Sequence, residues 1–209
     1  MKEAMNNRQT VFIVDDDIDF RESLGWLLES AGFFCRQFDS GEAFLRRYAG
    51  EPGCLLLDIR MSGMSGLALQ QELKKRDWAL EVIVITGHGD VAMAVQAMKN
   101  EAVDFIEKPF DDETLLKLVA ETLQRSEKVF AWQQEQRHIR QRWDTLSKRE
   151  KQVAELVVKG AANRDIAEQL SISIKTVEIH RSRVMSKMQV KNLAKLIEAA
   201  SILSSHSRG

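Results

Sequence analysis

Cysteine is scarce in this chain of 209 residues: Cys35 and Cys54 are the only two, too few for a disulfide framework and without the spacing of a metal site. They read as small apolar residues in a reducing compartment. Long apolar runs are missing as well. None approaches the ~18 residues of a membrane span, and the opening stretch Met1 to Thr10 holds no apolar signal core. These absences argue against a membrane protein and a secreted disulfide scaffold, and a cytoplasmic location is expected. Proline occurs twice, at Pro52 and Pro109. From Thr122 to Thr145 there is neither proline nor glycine, and the Gln, Glu and Arg that dominate there form helix readily. Net charge is nearly absent at −1, but the balance conceals −9 over residues 1–122, +2 over 123–144 and +6 over 145–209. An acidic front and a basic tail suggest two jobs, with a polyanion as partner for the tail.

What is present is organised around Cys54-Leu55-Leu56-Leu57-Asp58-Ile59-Arg60-Met61, an apolar run that ends in a carboxylate. Periodicity alone allows a buried strand or a piece of buried helix. Pro52 and Gly53 before it, and Gly63 and Gly66 after it, favour a strand, and an unalternating apolar strand suits a parallel sheet covered on both faces. Four further segments read the same way: Val11–Val14 ending in Asp15-Asp16-Asp17, Phe33–Phe38, Val82–Thr86, and Val103–Glu107 ending in Lys108-Pro109. Helical spacing lies between them, at 18–30 (Ile18, Leu24, Leu27 and Leu28 on one side), 40–48, around Leu67, Leu69 and Leu73, and at 91–100. Five alternations with no sequence repeat predict an α/β doubly wound, five-stranded parallel sheet. In the order 2-1-3-4-5 the first and third strands are neighbours at the switch point, where such sheets place their sites.

Asp15, Asp16, Asp58, Thr86 and Lys108 all stand where strands end. Each alone has a plain reading: a turn Asp, a strand-end Thr, a surface Lys. Together they describe a pocket in which three carboxylates converge and raise one another's pKa values unless a hard cation such as Mg²⁺ relieves them. A neutralised carboxylate can attack phosphorus and form an aspartyl phosphate, and a Lys and a hydroxyl can bind phosphoryl oxygens.

Val14-Asp15-Asp16, Asp58-Ile59-Arg60-Met61 with Met64-Ser65-Gly66, Thr86-Gly87-His88-Gly89-Asp90, and Asp104-Phe105-Ile106-Glu107-Lys108-Pro109-Phe110 closely resemble the receiver domain of two-component response regulators, over roughly residues 9–124. The resemblance implies that a sensor histidine kinase phosphorylates Asp58. It implies Mg²⁺ (or Mn²⁺) on Asp16, Asp58 and the Arg60 carbonyl, with Asp15 acting partly through water. It further implies Thr86 as the phosphate-sensing hydroxyl, Phe105 as the switching aromatic, Lys108 as the phosphate partner, and a cis Lys108–Pro109 bond. In one place the chain departs from the pattern: Ser62 stands where the family usually has proline. The fourth helix, with Val91, Ala94, Val95 and Met98, reads either as core packing or as a dimer face reshaped on phosphorylation.

In the tail, Ser147 and Glu150 form a capping box, a first helix ends at Gly160, and Asn163–Leu170, the turn Ser171-Ile172-Ser173 and a helix at 175–188 follow as a helix-turn-helix. Val177, Val184 and Met188 share one side of that last helix, while Lys175, Glu178, Ile179, Ser182, Arg183 and Ser186 face away. On pattern alone a small helical docking domain with a solvated charged face is the lesser alternative. Leu146-Ser147-x-Arg149-Glu150, Asn163-Arg164-Asp165-Ile166-Ala167, Lys175-Thr176-Val177-Glu178-Ile179-His180-Arg181 and Lys187-Met188 resemble the LuxR-type DNA-binding domain, and the whole chain resembles the FixJ type of regulator. By that resemblance Lys175, Glu178, Ile179 and Ser182 face base edges, and Arg164, Thr176, His180, Arg181, Arg183, Lys187 and Lys191 meet phosphates or groove walls.

The expected organisation is a receiver at 1–124, a helical linker at 125–144 and a DNA-binding domain at 145–209. The expected function is a phosphorylation-controlled transcription activator that dimerises, binds double-stranded promoter DNA and works with RNA polymerase. A rival reading is a small aspartyl-phosphate phosphohydrolase, since Asp15-x-Asp17, Thr86, Lys108 and Asp111-Asp112 mimic the haloacid-dehalogenase order of motifs. That reading leaves Asp58 and the tail unexplained. A regulator that works unphosphorylated is opposed by the intact acidic pocket.

Overall fold

A computed structural model describes residues 10–76, 78–87 and 91–205. The chain divides into two compact units, Met1–Ala131 and Trp132–Gly209. The first unit alternates strand and helix: β1 (Thr10–Val14), α1 (Ile18–Ser30), β2 (Phe34–Phe38), α2 (Gly41–Arg47), β3 (Gly53–Leu57), α3 (Gly66–Lys74), β4 (Leu80–Thr86), α4 (Val91–Lys99) and β5 (Asp104–Glu107). All neighbouring strands pair in parallel, in the order β2-β1-β3-β4-β5, so the topology is the one expected from the alternation.

β1 and β3 are buried at every position, which is why neither shows polar alternation. Alternate side chains still serve opposite faces. Phe12, Val14, Leu55 and Leu57 join Phe44 of α2, Leu69 of α3 and Ala97 of α4 in one layer. Val11, Ile13, Cys54 and Leu56 join Leu24 and Leu28 of α1 and Leu115, Val119 and Leu123 in the other. Ile18, grouped with Leu24, Leu27 and Leu28 by sequence, is instead 56% exposed. At about 100° per residue it stands about 120° round the helix from Leu24, off the packed stripe.

A single helix, α5 (Asp112–Asp144), contains both the segment after β5 and the connector. The second unit holds α6 (Lys148–Val158), α7 (Asn163–Leu170), α8 (Ile174–Met188) and α9 (Leu193–Ser205). Ser147 caps α6 with the full Ser–Glu capping box, and Ser173 caps α8. Ile139, Val153, Val157, Ile166, Val177, Val184, Met188 and Leu196 form the core of this unit. The tail pattern gives three helices, and the structure adds a fourth, α9, on which Leu193, Leu196, Ile197 and Ala200 carry helical spacing.

A buried polar tie anchors α5 to the sheet, besides the Arg125–Glu81 ion pair at 3.0 Å. Ser126 is wholly buried, and its Oγ donates to the Ala79 carbonyl at 2.5 Å and accepts from the Gly53 amide at 2.7 Å. Ser126→Ala should strand both backbone groups and lower stability by about 1–3 kcal/mol, read as a drop in the urea midpoint of the full chain. A loss under about 0.5 kcal/mol would show that water replaces the hydroxyl there.

Candidate functional site

The pairing of β1 with β3 sets Val14 opposite Leu57, so the next residues, Asp15 and Asp58, leave the sheet side by side at its carboxyl edge. The Asp58 amide donates to the Val14 carbonyl at 2.9 Å. One strand further on, Thr86 ends β4 buried, and the Lys108 amide donates to its carbonyl at 2.9 Å. That bond carries the Lys108 side chain to the same edge. Its Nζ lies 2.8 Å from Asp15 Oδ2 and 3.6 Å from Asp58 Oδ1, and 3.4 Å from the centroid of the Phe20 ring on α1. The Lys108–Pro109 bond is cis, as the receiver resemblance implied.

Asp15 and Asp58 are both buried, with 3% and 7% of their surface exposed. Burial raises the Asp58 pKa, the charge of Asp15 raises it further, and the Lys108 ammonium and the Arg60 amide oppose the shift. That amide donates to Asp58 Oδ2 at 2.7 Å. Asp15 Oδ1 accepts from the Asp17 amide at 2.9 Å. Asp17 itself caps α1, accepting from the Asp19 and Phe20 amides. Gly66, at the start of α3, lies so close that a Cβ there would sit 2.1 Å from the Asp58 carbonyl oxygen. The loop after Asp58 can close on α3 only because that residue is glycine.

The three carboxylates do not converge as expected. Asp15 and Asp58 meet at Lys108, while Asp16 is exposed and its Oδ2 accepts from the Ser62 amide at 2.8 Å and hydroxyl at 3.1 Å. The Ser62 amide is the main reason that the Asp16 pKa falls below the usual carboxylate range. Phe105, on β5, is partly buried against the layer that holds Val84, its register partner. His88, Gly89 and Asp90 of the Thr86 motif lie outside the described residues.

Among the described residues no three acidic or imidazole side chains are grouped as a metal cage. Mg²⁺ does not require one, because it binds through one or two carboxylates and keeps several waters. Asp15 and Asp58, buried carboxylates each held by a backbone amide, are hard oxygen donors of the kind Mg²⁺ takes.

The second unit presents a basic helix. On α8, Lys175, Glu178, Ile179, Ser182, Arg183, Ser186 and Lys187 are exposed, whereas Thr176, His180 and Arg181 are partly buried. Arg164 on α7 and Lys191 beyond α8 are exposed. Val177, Val184 and Met188 face the core. The turn before α8 is made by Ser171 in the left-handed region, at φ +53°.

Residues 11–120 match the response regulator receiver domain family, and residues 144–200 match the family described as bacterial regulatory proteins, luxR family. The chain is 46% identical over 193 residues to the transcriptional regulatory protein FixJ of Azorhizobium caulinodans, covering 91% of this chain and 90% of that one. The chain belongs to the FixJ-type two-component response regulators. It is 39% identical over 201 residues to the transcriptional regulatory protein TdiR of Thauera aromatica, covering 96% of this chain and 88% of that one. The solved structure of the response regulator StyR matches at a TM-score of 0.83 and 40% identity, over 93% of this chain and 98% of that chain. FixJ-type regulators are transcription regulators of two-component systems, not classical enzymes, and the phosphohydrolase reading is set aside. A receiver domain implies a sensor kinase as partner, a LuxR-type domain implies DNA, and receivers generally bind Mg²⁺ at their phosphorylation site.

In this response regulator two of the basic side chains expected on DNA are engaged within the fold. The Lys187 ammonium lies 2.6 Å from Glu150 Oε2 and 3.2 Å from the Thr145 carbonyl, so it clamps the end of α8 to the start of α6. Arg181 Nη1 donates to Asn163 Oδ1 at 2.7 Å. His180 is half-buried, and its Nδ1 has no hydrogen-bond partner. The clamp has a physical reason that only the fold shows: the capping-box Glu150 is nearly buried, and a buried carboxylate needs a cation.

Hydrogen bonding from Lys187, then from the Ser147 amide, holds the Glu150 carboxyl at about 2, below its ordinary 4.5. A depressed folded pKa stabilises fully above the unfolded value and is lost as pH falls through the folded one. The stability gap between wild type and Glu150→Gln should therefore be widest near neutrality and close between pH 4.5 and about 2. Urea titrations of the full chain at several pH values read this directly, and a gap independent of pH would refute the clamp.

Proposed function

We propose that this regulator is switched by phosphorylation of Asp58 and acts as an activator at promoter DNA. The observation that carries the reading is the Lys108 ammonium shared by two buried carboxylates at the β1–β3 seam. A carboxylate oxygen of Asp58 attacks the phosphorus of a kinase phosphohistidine, the phosphorus–nitrogen bond breaks, and the imidazole leaves with a proton. Asp16, Asp58 and the Arg60 carbonyl would hold Mg²⁺ or Mn²⁺, with Asp15 contributing partly through water, and the ion would supply neutralisation of carboxylate and phosphoryl charge there. Lys108 exchanges Asp15 and Asp58 for phosphoryl oxygens, the Thr86 hydroxyl takes another oxygen, and Phe105 changes rotamer as Thr86 moves.

The new charge and its three acceptor oxygens reach the surface through α4 and β5. Val91, Val95 and Met98 stand 81%, 47% and 49% exposed on α4 while Ala97 packs inward, so the apolar surplus of this helix supports a dimer face beside a core face. Dimerisation presents two α8 helices to a pseudo-palindromic site, and RNA polymerase is recruited in the cytoplasm. Lys175, Glu178, Ile179 and Ser182 meet base edges. Arg164, Arg183 and Lys191 meet phosphates, with Thr176, His180 and Arg181 along the groove wall. Lys187 serves the fold first, its ammonium being engaged.

Asp58→Ala should leave the chain folded and abolish the gain in DNA affinity produced by acetyl phosphate. A gel shift that still responds to acetyl phosphate would refute Asp58 as the acceptor. Arg183→Ala should weaken binding to all sequences alike and reduce the salt slope by about one. Lys187→Ala should lower stability and leave that slope unchanged, whereas a lost unit of slope would return Lys187 to the DNA surface.

A further inference from the structure

The loop after Asp58 is fastened through alternate backbone amides, each to a different carboxylate. Asp58 Oδ2 accepts from Arg60 at 2.7 Å, Asp16 Oδ2 from Ser62 at 2.8 Å and Glu42 Oε1 from Met64 at 3.0 Å. Asp16 lies just before α1 and Glu42 lies on α2, so the loop is tied to two elements besides its own strand. Ser62 alone makes a second bond, from its hydroxyl to the same Asp16 oxygen at 3.1 Å. Asp16 and Ser62 are both exposed, and Gly63 follows at φ +78°. Nothing in the covalent chain stiffens this loop: the proline usual in receivers is the residue that has become serine.

We propose that Ser62 is a positioning residue for the divalent cation, holding the Asp16 carboxylate at a fixed distance from the Arg60 carbonyl. This inference rests on the cation site proposed above. A carboxylate at the surface turns freely about its last torsion. Two donors on one oxygen stop that rotation and present the other oxygen in one direction. Because Arg60 and Ser62 belong to the same short loop, the clasp also fixes where the Arg60 carbonyl stands relative to Asp16. Proline achieves loop order by locking its own φ; this chain achieves it with an amide and a hydroxyl that proline and alanine respectively lack. Hydrogen-bond partners of metal-binding carboxylates orient them in this manner, and their loss typically costs 10–100-fold in affinity.

The test is Mn²⁺ binding to the full chain, read as loss of the free-ion electron paramagnetic resonance signal. Wild type, Ser62→Ala, Ser62→Thr and Asp58→Asn are compared, with thermal midpoints taken in parallel. Ser62→Ala should bind Mn²⁺ about tenfold more weakly, at the low end for an outer partner because the amide remains. Its thermal midpoint should stay at the wild-type value, since the side chain is exposed. Ser62→Thr, which keeps both donors, should restore wild-type affinity. If Ser62→Ala binds as tightly as wild type, or more tightly because the clasp competes with the ion, the inference is overturned while the cation site stands. If Asp58→Asn binds as well as wild type, the cation site itself is wrong and the inference falls with it.

Discussion

The ammonium of Lys108 is the constraint on which the first unit depends. Two carboxylates that are nearly sealed from water stand at the ends of adjacent parallel strands, and without a cation between them one would have to take up a proton. The ammonium reaches them because β5 ends beside Thr86, whose carbonyl accepts from the Lys108 amide. The ring of Phe20 bounds it on another side. The pocket is therefore charged, crowded and held by one movable side chain. A flexible lysine can exchange one set of oxygens for another, which is what the switch proposed above asks of Lys108.

The acidic run at the end of β1 divides its work by position. Asp15 is buried and shares the ammonium, Asp16 turns outward to Ser62, and Asp17 closes the amide end of α1. Three identical side chains thus serve as pocket wall, loop clasp and helix cap. Their difference lies in which backbone amides face them.

The second unit separates charge that reads alike in sequence. Lys187 and Arg183 are both basic residues of α8. Lys187 lies against a nearly buried carboxylate at 2.6 Å, and Arg183 faces solvent. Glu150 is so placed because the capping box directs it back towards the start of α6, where the end of α8 passes. Two like charges on one helix thus differ in use: one holds the helix in place, and the other is left at the surface.

The sequence by itself determined the elements, their order and most of the pocket. Apolar runs without alternation marked the buried strands β1 and β3, the helices at 18–30, 40–48, 91–100, 163–170 and 175–188 lie within a residue of those observed, and the strand-end positions of Asp15, Asp58, Thr86 and Lys108 follow from the order of strands and helices. These are local properties, set by neighbours along the chain. The sequence does not separate Ile18 from the packed stripe of α1, Asp16 from the buried Asp15 and Asp58, or the engaged Lys187 from the exposed Arg183, and its pattern leaves α9 unassigned although the spacing is legible. Each of the first three turns on a partner distant in sequence: the sheet beneath α1, Ser62 for Asp16, and Glu150 for Lys187. Only the tertiary structure decided them, because a side chain's charge and polarity are written in the chain, whereas the group that satisfies them is chosen by which backbone the fold brings alongside.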